Sequence, residues 1–414
     1  MFPAAIFKLK NGLTFIHQEI STTPVVVADV WVNAGALLEP KPWFGIAHFL
    51  EHMIFKGTHK LAPGVFDQKI ENQGGVTNAA TSYDYAHYSL TTATSYLQDT
   101  LPDLGELVLN AAIPEDEFEL ERDVVLEEIR QAKDNPDWMG FHALSKDVYR
   151  HHPYGRSVLG TEQELMQHSP EVMRQFHHSH YQPENTTVVV VGGIDREKAL
   201  DLVDTNFHKF PKPVNIPSPE IANKPAAIAE IRRSSICLPQ LEQARLMMAW
   251  TAPGANQIEE AYGLDMLSAI LAQGRTSRLI RDLREEKQLV QAIYSNFSLQ
   301  RESSLFTITA WLEPENLELV ESLICQHLER LHIAKISKQE LDRSKRLLCN
   351  DYAFSTETPN QLAGLYGYYS TIAQAELALA YPHKIKSFDR EKLQKLAQKY
   401  LSPCNYVITI VKPD

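Results

Sequence analysis

The second half of this chain repeats the first, and that constrains its fold more than any single motif. Ala244-Arg245-Leu246-Met247-Met248-Ala249-Trp250-Thr251-Ala252-Pro253-Gly254 echoes Asp29-Val30-Trp31-Val32-Asn33-Ala34-Gly35. Gly263 to Leu271 echoes the segment that opens at Gly45, with Gly274 opposite Gly57. Tyr400 and Asn405 before Val407 to Val411 echo Tyr181 and Asn185 before Val188 to Val191. Self-similarity of this kind marks two copies of one architecture. Within each copy, β-branched runs such as Val25 to Val32 and Thr186 to Val191 alternate with amphipathic helical segments. The fold class expected is therefore α+β, with two homologous lobes, each a mostly antiparallel sheet packed with helices. Prolines at 211, 213, 217, 219 and 225 read as an extended linker. The boundaries expected are 1–210 for the first lobe, 211–232 for the linker and 233–414 for the second lobe. A chain of 414 residues is long enough to give each lobe a sizeable core.

The chemistry concentrates in His48-Phe49-Leu50-Glu51-His52. Residues four apart lie on one face of a helix, so His48 and His52 can take adjacent corners of one zinc ion. Glu51 stands beside them, placed to accept a proton from water activated there. The order H-x-x-E-H reverses the commoner zincin signature. A chain with 16 His can produce such a pentapeptide by chance, as two ordinary histidines on a polar face. The surroundings argue otherwise. Ile46, Phe49, Leu50, Met53, Ile54 and Phe55 make the helix apolar on most sides, and such helices are buried. Buried imidazole and carboxylate groups need partners, which a metal supplies. A hydrolytic zinc takes three protein ligands and keeps one position open. The helical segment 117–133 is the best source of the third, with an apolar stripe through Leu120, Val124, Val125 and Ile129. Glu121 and Glu128 share a face of it, two turns apart. An acidic run of this kind is otherwise a solvated surface.

These segments together resemble the insulinase or pitrilysin-type zinc metallopeptidases, the inverzincins, and most closely their mitochondrial-processing-peptidase branch. Glu121-Arg122-Asp123-Val124-Val125-Leu126-Glu127-Glu128 is similar to the family's E-R-D-V-x-L-x-E. Gly74-Gly75-Val76-Thr77-Asn78-Ala79-Ala80-Thr81 is similar to its G-G-x-x-N-A-x-T strand. His152 to Arg156, Gly160-Thr161 and Tyr181 to Asn185 match further family segments, so the likeness runs over most of residues 5–210. It implies one Zn2+ per chain held by His48, His52 and Glu128, with Glu51 as the base. It implies that Glu121 orients a ligand imidazole, and that Asn78, Ala79 and Ala80 pair with substrate backbone. Glu127 falls at a variable position and receives no role. On the repeat, Asp265, Ser268 and Ala269 stand opposite His48, Glu51 and His52, and Cys349 stands opposite Glu128. The second lobe keeps the scaffold without the metal, as the family's does.

The family's second lobe also supplies an Arg and a Tyr that bind substrate carbonyls and the oxyanion. Here Arg284 occupies the Arg position and Gln291 the Tyr position. Either Gln291 or Tyr294, one turn on, takes over, or a paralogous chain provides the pair and this chain is the zinc-bearing subunit of a heterodimer. The second is the expectation, with a self-sufficient homodimer as the alternative. Two further readings are a non-catalytic scaffold, like the core subunits of respiratory cytochrome bc complexes, and a zinc-binding protein without hydrolytic role. The function expected is a zinc endopeptidase that cleaves unstructured peptides or short polypeptides inside a closed chamber.

Composition excludes some other classes. A net charge of −12 argues against nucleic-acid binding. No apolar run approaches the roughly 18 residues a membrane span needs. The N-terminal residues lack a basic start followed by an apolar core, so no secretory signal is read there and a cytoplasmic location is expected. Cys237, Cys325, Cys349 and Cys404 are widely spaced without C-x-x-C, which suits buried free thiols in a reducing compartment.

Overall fold

The computed structural model describes residues 3–219, 225 and 227–413. Of the linker expected at 211–232, positions 220–224 and 226 lie outside the described residues. The strands are β1 (Ala5–Lys8), β2 (Thr14–Glu19), β3 (Val25–Val32), β4 (Val76–Thr81), β5 (Ala86–Ala93), β6 (Thr186–Gly192), β7 (Arg232–Cys237), β8 (Ala244–Pro253), β9 (Ala292–Ser298), β10 (Ser303–Leu312) and β11 (Val407–Lys412). They form one six-stranded sheet in the order β1-β2-β6-β3-β5-β4 and one five-stranded sheet in the order β7-β11-β8-β10-β9. Every neighbouring pair is antiparallel except β2 with β6 and β7 with β11. Matching β2, β6, β3, β5, β4 to β7, β11, β8, β10, β9 gives the same order and the same parallel pair. The repeat in the sequence is a repeat of topology.

The two compact units are not contiguous in sequence. The first comprises Met1–Arg130, Ser157–Ile221 and Ser355–Leu379, and the second Gln131–Arg156, Ala222–Phe354 and Ala380–Asp414. Each thus takes a helical segment from the other half of the chain, where contiguous lobes were expected. In the first unit, the helix Pro359–Ile372 packs on β3 and β6. A Cβ on Gly367 would stand 2.0 Å from Trp31 Nε1, so only glycine lets that helix approach β3 so closely. In the second unit, the helix Pro136–Tyr149 packs on β8 and β11. Its Gly140 plays the same part, since a Cβ there would meet Val411 Cγ2 at 2.8 Å and Met247 Sδ at 2.9 Å.

The core of the first unit explains the placement of the motif. One face of the sheet, including Val26, Ala28, Val30, Tyr88 and Leu90, shares a buried cluster with Phe49, Leu50 and Met53 of the helix Ile46–Ile54. β3 is buried along nearly its whole length because helices cover both faces of its sheet, which explains its unbroken Val-rich run. None of the four thiols forms a disulfide, but Cys237 and Cys404 are exposed and Cys325 and Cys349 partly so. The expectation of buried thiols fails because these positions fall outside the apolar stripes. Among the described residues, no helix is long and apolar enough to cross a membrane.

Candidate active site

The helix Ile46–Ile54 buries Ile46, Ala47, Phe49, Leu50, Met53 and Ile54, leaving His48, Glu51 and His52 on its remaining side. Its N-terminus is capped at long range. Gly45 takes a left-handed conformation (φ 85°) and offers no side chain to the open N–H groups. Glu39, 1% exposed, accepts from the N–H of Gly45 at 3.0 Å through Oε2 and of Ala47 at 2.9 Å through Oε1. A buried carboxylate at a helix N-terminus satisfies orphan donors and complements the dipole. The sequence pattern carries no signal of this residue, which lies outside the usual capping positions.

The helix Glu115–Asp134 supplies the rest. It buries Phe118, Glu121, Val125, Leu126 and Ile129. Leu120 and Val124, expected in the buried stripe, are 65% and 46% exposed. The helix turns Glu121, Val125 and Glu128 inward instead, and this rotates Leu120 and Val124 towards solvent.

His48, His52 and Glu128 converge, with one ligand atom from each lying within 4.8 Å of the others. Glu128 Oε2 is 3.6 Å from His48 Nε2 and 3.6 Å from His52 Nε2. These gaps are too long for hydrogen bonds. They are close to the roughly 3.3–3.4 Å edge of a tetrahedron with zinc–nitrogen bonds of about 2.0–2.1 Å. Burial, and then the neighbouring His52, pushes the His48 pKa down to about 4, so the ring is neutral and its Nε2 lone pair available at pH 7. The donor set fits a zinc ion. Glu128, with its side chain 39% exposed, marks the open side of the cluster.

The supporting contacts are specific. His52 Nδ1 donates to Glu121 Oε1 at 2.8 Å, which leaves Nε2 facing Glu128. Burial works to raise the Glu121 carboxyl, but hydrogen bonds from Lys56 and His52 outweigh it and hold it below the usual range. Thr81 Oγ1 donates to Glu51 Oε2 at 2.6 Å. Burial raises the Glu51 carboxyl despite that bond, which makes it a readier proton acceptor. Lys56 and Thr81 had no role on sequence grounds, since both act across chain segments that no periodicity links.

Asn78, Ala79 and Ala80 lie on β4, which pairs with β5 on one side and has no strand on the other among the described residues. Its last residue, Thr81, is the one that touches Glu51, so an open sheet edge runs up to the carboxylate. Arg284 sits in the π-helical turn Ile280–Glu286 of the second unit. Its Nε and Nη2 bond Glu285 Oε1 at 2.9 and 2.6 Å. Tyr294, expected one helical turn beyond Gln291, instead lies on β9, its ring edge-on to Trp311 at 5.5 Å. The Gln291 N–H extends the β9 ladder by bonding Trp311 O at 2.8 Å. Gln291 and Tyr294 therefore do not lie one above the other as they would one turn apart on a helix.

Comparison with known proteins places the chain in a family. Residues 14–162 match the family described as Insulinase (Peptidase family M16), and residues 168–348 match its Peptidase M16 inactive domain. The chain is 30% identical to the zinc protease PqqE of Helicobacter pylori, over 98% of this chain and 92% of that protein. It is 24% identical to a probable mitochondrial-processing peptidase subunit beta of Arabidopsis thaliana, over 98% of this chain and 77% of that one. Its fold is similar to the crystal structure of a protease from Helicobacter pylori, with a TM-score of 0.93, 27% identity and all of both chains covered. The chain belongs to the insulinase family of peptidases, peptidase family M16.

Proposed function

We propose that this chain is a zinc-dependent endopeptidase subunit that cleaves unstructured peptides. The observation that carries the proposal is the convergence of two imidazole Nε2 atoms, each 3.6 Å from Glu128 Oε2. His48, His52 and Glu128 would hold one zinc ion per chain. When bound, zinc supplies Lewis-acid polarisation of a carbonyl oxygen and lowers the pKa of water. Glu51 accepts the proton of the attacking water and later delivers it to the leaving amide nitrogen. Thr81 fixes the Glu51 carboxylate through one oxygen. The substrate adds as a strand along the open edge of β4, beside Asn78, Ala79 and Ala80, where main-chain hydrogen bonds hold it independently of sequence. Glu121 sets the tautomer of His52.

The absence of a tyrosine at 291 favours the heterodimer reading over a self-sufficient homodimer. Tyr294 lies on β9 rather than one helical turn beyond 291, which argues against its serving in that place. A second chain of the same fold would contribute the Arg/Tyr pair and complete a closed chamber, in which water is restricted around the substrate.

Metal content and peptide cleavage test the site together. Purified protein is expected to contain about one zinc per chain, and Glu128→Ala to lose most of it. Glu51→Gln is expected to keep the metal and lose hydrolysis by several orders of magnitude. Near-normal zinc in Glu128→Ala would give the third ligand to another residue. Wild-type cleavage by Glu51→Gln would remove Glu51 as the base, and zinc without cleavage in any pairing would favour a scaffold role.

A further inference from the structure

Lys56 lies four residues beyond His52, just past the end of the helix Ile46–Ile54, and so projects on the same side as the imidazole. Its Nζ is 2.5 Å from Glu121 Oε2, while Glu121 Oε1 receives His52 Nδ1 at 2.8 Å. One carboxylate therefore bridges an ammonium and an imidazole, with a separate oxygen for each. Glu121 is 7% exposed, and the Lys56 side chain 29%. This is an enclosed, charge-assisted contact rather than a solvated surface pair. A carboxylate anchored through one oxygen can still turn about its Cγ–Cδ bond and carry the histidine ring with it. Anchoring the second oxygen removes that freedom.

We propose that Lys56 is a positioning residue for the metal. By clamping Glu121 it fixes the plane of the His52 ring, so that Nε2 meets His48 Nε2 and Glu128 Oε2 at ligating distance. The inference rests on the assignment of His48, His52 and Glu128 as the ligand set. It predicts a distinct pattern. The Lys56 contribution passes entirely through Glu121, it needs a cation at 56, and it acts on metal affinity rather than on folding. Outer partners of metal ligands typically govern about 10–100-fold in affinity. Lys56, one step further from the ion, belongs at the lower end of that range.

The test is the zinc dissociation constant, measured by competition with a chromophoric chelator on the full chain, together with the visible spectrum of the cobalt-substituted protein. Lys56→Met is expected to weaken zinc about ten-fold and to shift the cobalt bands. Lys56→Arg should stay within about two-fold of the wild type, because it retains a cation able to bond the same oxygen. In a Glu121→Gln background, Lys56→Met should add no further loss. Lys56→Gln, polar but uncharged, provides the reading if Lys56→Met does not fold. Wild-type affinity and spectrum in Lys56→Met or Lys56→Gln would overturn the inference alone. An undiminished loss in the Glu121→Gln background would do the same. A wild-type chain that binds no zinc, or a Glu128→Ala chain that binds it equally well, would overturn the ligand assignment and the role of Lys56 with it.

Discussion

His177 is enclosed on the helix Pro170–His180, with Nε2 2.8 Å from the Val108 carbonyl. Its Nδ1 has no hydrogen-bond partner among the described residues. Burial, opposed by the bond to Val108, pushes its pKa down from 6.5 to about 4, so the ring is neutral at pH 7. A group whose folded pKa lies below its unfolded value contributes stability that is fully present above the unfolded pKa. That stability is lost as pH falls through the folded pKa. The window is therefore pH 6.5 down to about 4, and the loss is at most about 3 kcal/mol. With chelator present, the unfolding midpoint in denaturant should decline across that window. His177→Phe should start less stable at pH 7 yet decline less steeply. An equally steep decline would assign the acid sensitivity to other groups, His48 among them. At this scale, residues joined by helical spacing were legible, His48 with His52 and Glu121 with Glu128. Contacts between distant segments were legible only where the family resemblance implied them, as for Glu121 with a ligand imidazole. Thr81 lies 30 positions from Glu51, and nothing in either segment encodes the meeting.

At the scale of elements, the helix that bears the motif depends on a residue outside it. Glu39 satisfies two N–H groups at its start, and Pro40 and Pro42 between them shape the turn that brings it round. Capping losses typically cost about 0.5–2 kcal/mol, and a buried carboxylate with two acceptor bonds belongs at the top of that range. Glu39→Ala should lower the denaturant midpoint accordingly and weaken zinc binding as well, since the first turn carries His48. A variant with unchanged stability would show that solvent replaces the cap. The acidic helix illustrates the limit of periodicity. Its stripe was legible, but a stripe shows which residues share a face and not what covers that face. Leu120 and Val124 emerge exposed because Glu121, Val125 and Glu128 take the inner side.

At the scale of the whole molecule, the repeat was legible because both copies keep their strand cores and their Tyr and Asn before the last strand. The exchange of helical segments between units was not, since a helix does not announce which sheet it will cover. The partner reading belongs here too. Loss of one oxyanion donor typically costs about 10²–10³ in turnover. The isolated, zinc-loaded chain should therefore be a poor peptidase on an unstructured basic peptide. A paralogous chain with the Arg/Tyr pair should restore activity, and mutating that partner's Tyr should abolish the gain. High activity in isolation, unchanged by any partner, would leave a homodimer. The exchange itself has a consequence in time. The helix that closes β3 and β6 lies in Ser355–Leu379, whereas the rest of the first unit ends at Ile221. At usual synthesis rates the ribosome needs roughly ten to thirty seconds to cover that interval. Throughout it, the nascent first unit carries an uncovered apolar sheet face. A chain stopped at residue 354 should show faster amide exchange in β3 and β6 than the full chain, and equal protection would show that the late helix is dispensable. On this order of synthesis, the unit that carries the candidate site is completed only after most of its counterpart has been made, which ties the maturation of that site to synthesis through residue 379.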